Sequence, residues 1–371
     1  MKKIVISFGA ALLSLSSLNA QIIKTDSSLQ ISGSADLYYK YDFAGASGTA
    51  GVNDGAMYNA KVGMKQNSLE FGMLDLKIKK RLGAISVNSE LAFGQREVGA
   101  DPSAPPSYNI QNLYASYQVA KKLSITGGIM YRYQTYEKLT ATDNFHYTIS
   151  NSFTMINFLR SAGIKGTYEF NDKAKIVVGM YNSNRPSGAM NRTVATPTYG
   201  LSDLVAQGFI SEPFGFKGFD ANAAIWIEGQ KDNGSHFNLQ ANYKVTPKLK
   251  LGLDATIYSH KDTTSVPVPS YNSYVGYAQY AVCKAFTLGV RYDYLNVNEP
   301  NPSSSFVKEN YYATTLTGAL KLGMLTLKAE FKRDWTSKDN TNNATIIYYE
   351  KDGVTPSVNA SEIVLAAIYN F

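Results

Sequence analysis

The sequence predicts an all-β protein: a transmembrane antiparallel up-and-down β-barrel of about sixteen strands. Three observations predict it. Strands of period two recur along the chain, very short connections alternate with long polar ones, and the N-terminus has the layout of an export signal.

The N-terminus sets the compartment. Lys2 and Lys3 form a positive n-region, Ile4 to Leu15 is apolar apart from Ser7, Gly9 and Ser14, and Ser16 to Ala20 is small and polar. That order is a secretory signal peptide, with cleavage expected after Ala20. The apolar run is too short to span a bilayer, and no Cys near the cut marks a lipoprotein. The expected organisation is a signal peptide over 1–20 and one barrel domain over 21–371.

Composition agrees. The chain has 27 Tyr, 17 Phe and 29 Gly, is 44% hydrophobic, and has a mean hydropathy of −0.20. After the signal, no stretch reaches the roughly 18 apolar residues of a spanning helix. So polar a chain enters lipid only if its apolar residues alternate along strands. Cys283 is the single cysteine, which excludes an internal disulfide, and is expected to be a small packed residue. The formal charge of +7 falls near +5 without Lys2 and Lys3. Its charges alternate with apolar residues along strands, so nucleic acid is not an expected partner.

From Leu29 to Tyr41 the apolar positions Leu29, Ile31, Gly33, Ala35, Leu37, Tyr39 and Tyr41 alternate with polar ones, which is a strand with two unlike faces. It is longer than usual in soluble sandwiches and long enough for a tilted membrane crossing. The same pattern gives strands near 29–42, 67–80, 83–97, 108–119, 122–137, 160–170, 174–184, 199–211, 215–230, 234–246, 248–261, 271–282, 284–298, 309–321, 323–337 and 361–371. Very short turns are expected at Arg81-Leu82, Ala120-Lys121, 171–173, Pro213-Phe214, Thr246-Pro247, Cys283 and Leu322. Between them lie 43–66, 98–107, 138–159, 185–198, 262–270, 299–308 and 338–360, with the tight 231–233 link as the exception. Short periplasmic turns alternating with long external loops characterise an outer-membrane barrel.

In hydrocarbon an unpaired backbone N–H or C=O costs several kcal/mol, so the strands must close without an edge. Leu249, Leu251, Leu253, Ala255 and Ile257 then face lipid, and Lys250, Gly252, Asp254 and Thr256 face a wet interior. Tyr39, Tyr41, Tyr131, Tyr133, Tyr292, Tyr294, Tyr369 and Phe371 are expected in interfacial girdles. Alternating Ile363, Leu365, Ala367, Tyr369 and Phe371 make 361–371 a terminal strand of the kind read by barrel-assembly machinery.

Catalytic chemistry is poorly supplied. His146, His236 and His260 are the only histidines, without metal-ligand spacing, and no phosphate-cradling loop is present, so neither an enzyme nor a cofactor is expected. Parity points Arg96, Arg132, Lys165, Lys250, Arg291 and Lys328 inward with Glu90, Asp254, Asp293 and Glu330, and adds Lys244, Lys332, Asp36, Glu169, Asp220, Glu228 and Asp334. Facing basic and acidic rows would filter polar solutes, with Arg132 and Arg291 as the preferred basic candidates. The third long loop, 138–159, is too apolar to lie in water. Phe145, His146, Tyr147, Phe153 and Phe158 are its candidates for a constriction packed inside the barrel.

Several stretches carry a family resemblance: Asn67-Ser68-Leu69 leading to Leu91-Ala92-Phe93-Gly94, then 110–117, 123–128, Glu137, Asn144-Phe145-His146-Tyr147 with Ser150, 162–165 and 177–182. On these the chain resembles the β-barrel porin-2, OmpL-like, outer-membrane porins. Two positions depart, Tyr136 where a small residue is usual and Ser183 where a larger one is. The resemblance implies a channel in the outer membrane and names no solute.

Sixteen strands enclose an aqueous channel. The expected function is passive diffusion of small hydrophilic solutes by a barrel seated among outer-membrane lipid and lipopolysaccharide, as a homotrimer in the manner of sixteen-stranded porins. The alternatives are a non-conducting structural or adhesion barrel and a barrel enzyme such as a lipid hydrolase.

Overall fold

The computed structural model describes residues 28–43, 68–94, 108–155, 160–182, 200–229, 234–259, 270–297, 310–336, 348–350 and 355–371. The strands are β1 (Leu29–Asp42), β2 (Ser68–Leu82), β3 (Ile85–Phe93), β4 (Tyr108–Ala120), β5 (Leu123–Tyr131), β6 (Arg160–Asn171), β7 (Ala174–Asn182), β8 (Leu201–Ser211) and β9 (Phe219–Ile227). They continue with β10 (Ser235–Lys244), β11 (Leu249–Ser259), β12 (Tyr271–Ala281), β13 (Phe286–Val297), β14 (Asn310–Leu322), β15 (Leu325–Thr336), β16 (Tyr348–Tyr349), β17 (Pro356–Ser357) and β18 (Asn359–Asn370). One short helix, α1, covers Asn151–Met155. The signal segment 1–20, Arg96, Phe158 and His260 lie outside the described residues.

Sixteen strands close into a barrel in which each pairs antiparallel with its sequence neighbour, and β18 pairs with β15 and β1. The seam runs from Ser34 opposite Asn370 to Asp42 opposite Glu362. No barrel strand is left with a free edge, as hydrocarbon demands. β16 and β17 pair only with each other, inside the segment expected to be a plain loop.

The period of two sorts the faces. On β11 the side chains of Leu251, Leu253 and Ile257 are exposed outward, while Asp254, Thr256 and Tyr258 are buried inward. Tyr274, Tyr294, Tyr312 and Trp335 stand opposite one another in register across β12 to β15. Their rings lie 5.3–6.2 Å apart, forming an aromatic band near the long-loop end. Tyr133 is not part of such a girdle, because it is buried against His236 inside the barrel.

The turns fall close to their expected places. Leu82 pairs with Ile85 and Leu322 with Leu325, which moves both turns one residue or more towards the C-terminus. Each turn then opens with a glycine, Gly83 or Gly323, at positive φ, the conformation tight hairpins require. Cys283 is exposed in the β12–β13 turn, not packed, because the two-faced strand pattern has ended before it. The largest departure is β5, expected to reach Glu137 but ending at Tyr131, opposite Arg160. Beyond Tyr131 the chain leaves the wall and turns into the barrel.

Candidate functional site

The segment from Arg132 to Met155 lies against the inner wall on the β10–β15, β18 and β1 side. The wall makes room for it. The ring of Phe145 occupies the space over Gly289, and the Tyr136 ring that over Gly252, where any Cβ would collide. Tyr136 also stacks on Tyr277 at 4.2 Å and donates to Asn242 at 3.0 Å. Tyr147 reaches β1, where its hydroxyl donates to Asp36 at 2.5 Å.

Charged wall residues hold the segment's backbone. Glu330 accepts the Tyr147 and Thr148 amides at 2.7 and 2.9 Å, together with the Thr148 hydroxyl. Lys328 donates to the carbonyls of Ala141 and Asn144 at 2.9 and 2.6 Å. Asp293 accepts the Asn151 amide at 3.1 Å at the start of α1. Ser150 caps that helix, its hydroxyl accepting the Phe153 amide at 3.1 Å.

Arg291 is the hub. Its guanidinium, 0% exposed, pairs with Glu137 at 3.1 Å and Asp293 at 3.0 Å. It also donates to the carbonyls of Thr148 and Ile149 at 2.6 and 3.1 Å and to the Thr315 hydroxyl at 3.1 Å. Five donors in a rigid fork suit this convergence of acceptors. Glu137, buried in the segment, accepts the Ser150 amide at 2.7 Å. Burial raises its pKa against the lowering effect of Arg291. His146 accepts or donates at Thr317 over 2.7 Å. Burial, with Arg291 and Lys328 nearby, holds its pKa well below the usual histidine range, so it is neutral at pH 7.

These contacts correct the sequence expectation for several residues. Arg291, Lys328, Asp293 and Glu330 do face inward, but under the segment rather than along open space. Asp254 is likewise buried, accepting a bond from Asn238 at 2.6 Å. Alternation reports which face of the sheet a residue occupies; it carries no information about what covers that face. Phe145, His146, Tyr147 and Phe153 all lie in the inward-folded segment.

Open space remains on the opposite side. A cavity of about 510 Å³ lies between Arg132–Gln134, Lys138–Thr140 and Asp143 of the segment and the inner face of β2 to β8. Of the sequence candidates, Glu90, Lys165 and Arg132 line it. Arg132 is nevertheless buried, paired with Asp203 at 3.1 Å and 4.4 Å over the ring of Trp226. Lys250 sits at the short-turn end of β11, opposite Lys244.

Parity reading passed over Lys77, Lys138, Asp143 and Lys175, which also line this space. Lys77 and Lys175 were detectable, since Met73, Asp75 and Lys77 alternate with Leu74, Leu76 and Ile78, and Lys175 and Val177 with Ile176 and Val178. Lys77, 36% exposed, bridges Asp143 at 3.0 Å, Asp75 at 3.3 Å and Glu90 at 3.6 Å. Burial would raise the Asp143 carboxyl, but the Thr140 hydroxyl and Lys77 outweigh it and the pKa is lowered. Burial brings the Lys138 ammonium down to about 8. Among the described residues, no cluster of metal-ligating side chains is present.

The family model described as "Putative beta-barrel porin-2, OmpL-like" matches residues 28–371. Among solved structures, the outer membrane channel DcaP of Acinetobacter baumannii superposes with a TM-score of 0.62 at 13% identity, covering 94% of this chain and 99% of that one. OmpF of Salmonella typhi, solved in complex with daunomycin, gives 0.60 at 13% identity over 92% and 97%. OmpT of Vibrio cholerae, outer-membrane expressed, gives 0.57 at 12% identity over 95% and 100%. At such identities the likeness concerns the fold. No curated protein matches significantly.

Proposed function

The chain belongs to the OmpL-like β-barrel porin-2 family of outer-membrane porins, and from that premise we propose that small hydrophilic solutes diffuse passively between the inward segment and the β2–β8 wall. The observation that carries this reading is the cavity of about 510 Å³ on that side, with polar groups such as Gln111, Asn112 and Thr167 on its wall. The segment acts as the constriction: its packing against the opposite wall sets the size of the opening. Lys77, Glu90, Lys138, Asp143 and Lys165 act on the solute, while Arg291, Glu330 and Lys328 hold the constriction in place. The protein performs no covalent chemistry.

Further parts of the reading rest on sequence. Residues 1–20 direct export in a Gram-negative cell and are removed, leaving one barrel domain. The terminal strand 361–371 engages the assembly machinery. The homotrimer is proposed because a comparable barrel, in-vitro folded OmpT of Vibrio cholerae, is described in a trimer form.

Single-channel recording in planar bilayers tests the function; the expected result is stepwise conductance, and a silent refolded barrel refutes it. A thiol scan locates the path. A bulky thiol reagent blocks current through Thr167→Cys, on the cavity wall. It leaves Thr315→Cys, buried beneath the segment, conducting.

A further inference from the structure

The charges around the open space are sorted by side. On the β2 and β3 side, Asp75, Glu90 and the segment's Asp143 stand around Lys77, with the segment's Lys138 also lining the space, so three carboxylates face two cations in a mildly negative patch. On β6 and β7, Lys165 and Lys175 both line the space. In the β6–β7 register Lys165 stands opposite Gly179 and Lys175 opposite Glu169. Among the described residues, neither has a carboxylate within ion-pair distance. Lys175 instead lies 4.7 Å over the ring of Phe209, and Tyr114 and Val177 share the lining. This side therefore offers two ammonium groups that form no ion pair, beside apolar and aromatic surface.

The short-turn end of the barrel adds to the same sign. Each of the short turns carries or adjoins an exposed cation, among them Arg81, Lys122, Lys217, Lys248, Lys284 and Lys321. Acidic groups there are fewer: Glu169, Asp172, Glu212 and Asp220. One of them, Glu212, is already paired with Lys173 at 2.8 Å. A ring of like charge at a channel mouth concentrates counter-ions there.

We infer that this channel favours small carboxylate-bearing organic anions, and that Lys165 and Lys175 form the step on which the carboxylate rests during passage. The inference rests on the porin reading. The negative patch on β2 and β3 repels a carboxylate towards β6 and β7. The two ammonium groups receive it, and Phe209, Tyr114 and Val177 accept an apolar or aromatic remainder. The rim of cations favours entry and exit of the same class. Both effects weaken as salt screens them.

Reversal potentials test this with the purified barrel in planar bilayers, under gradients of potassium chloride and of potassium benzoate. The expected anion-to-cation permeability ratio exceeds one for both salts and rises as ionic strength falls. K165Q/K175Q is expected to lower the benzoate ratio by about threefold or more, and K165R/K175R to keep it, since the first removes two unit charges beside the path and the second retains them. Heat-modifiable migration on gels confirms that each variant is folded. A wild-type ratio at or below one overturns the inference while leaving the porin reading standing. So does a folded K165Q/K175Q with an unchanged ratio. A wild-type barrel that never conducts overturns the porin reading and this inference with it.

Discussion

Replacing Arg291 by Met tests the claim that one side chain keeps the constriction on its wall. The guanidinium is fully buried and holds two carboxylates, Glu137 and Asp293, and two backbone carbonyls, Thr148 and Ile149. Met fills most of the volume but leaves both carboxylates buried without their cation. Removing one partner of a buried pair typically costs about 3–5 kcal/mol. That loss falls on the local equilibrium between docked and released segment, because the strand ladder does not depend on Arg291. At about 1.4 kcal/mol per factor of ten, the released population rises by roughly 10² to 10⁴. Amide hydrogen exchange in detergent reads this directly at Tyr147, Thr148, Ser150 and Asn151, whose amides bond to Glu330, Glu137 and Asp293. Protection there is expected to fall by that factor while β13 and β14 amides stay protected, and single-channel current is expected to become larger and noisier. Arg291→Lys keeps the charge but not the fork and is expected to fall between. Unchanged protection at those four amides would refute the anchoring argument.

Three further outcomes follow from the same geometry. Glu330→Gln weakens an acceptor of two segment amides and should cost about 1.5–3 kcal/mol of docking, seen as faster exchange at Tyr147 and Thr148. Leu253→Arg places a cation on an outward, lipid-facing position and should lower stability by about 2–4 kcal/mol, read from urea titration in liposomes. Lys138, whose pKa lies at about 8, is charged at pH 7 and neutral at pH 9, so the passage loses one positive charge as pH rises. Anion preference is therefore expected to fall over that interval, and a reversal potential constant from pH 7 to 9 would contradict its placement beside the path.

The barrel was legible because lipid and backbone impose rules that sequence expresses locally. Alternation along β1 and β11 and the spacing of the short turns carried the fold, and even the strand number, without reference to distant residues. The site was legible only in part. The composition of 138–159 shows that this segment needs an apolar setting, and Phe145, Tyr147 and Phe153 stand out on that ground. Its true start at Arg132 was hidden, because Tyr131, Tyr133 and Tyr136 continue a pattern that a strand would also show. Lys138 and Asp143 owe their place to the course of the segment rather than to strand parity, so no periodicity could reveal them. Cys283 failed for the opposite reason: a small apolar residue reads as packed wherever it stands, whereas a turn leaves it exposed.

Inward charges of both signs along the strands argue, taken by themselves, against strong ion selectivity. Division of labour in the structure changes that argument. Five buried acidic groups are committed: Glu137 and Asp293 to Arg291, Glu330 to segment amides and hydroxyls, Asp203 to Arg132, Asp334 to Lys332 at 3.1 Å. A carboxylate neutralised by a buried partner or spent on backbone donors contributes little field to the passage. What solute meets is the remainder, and on β6 and β7 the remainder is Lys165 and Lys175 with Glu169 near the short-turn end. Selectivity in such a barrel is then set by which charges the constriction leaves unused, so substitutions that release the segment should alter ion preference as well as conductance. Recording the benzoate reversal potential of Arg291→Met joins the two claims: freeing Glu137 and Asp293 should move it towards cations, and an unmoved value would separate anchoring from selectivity.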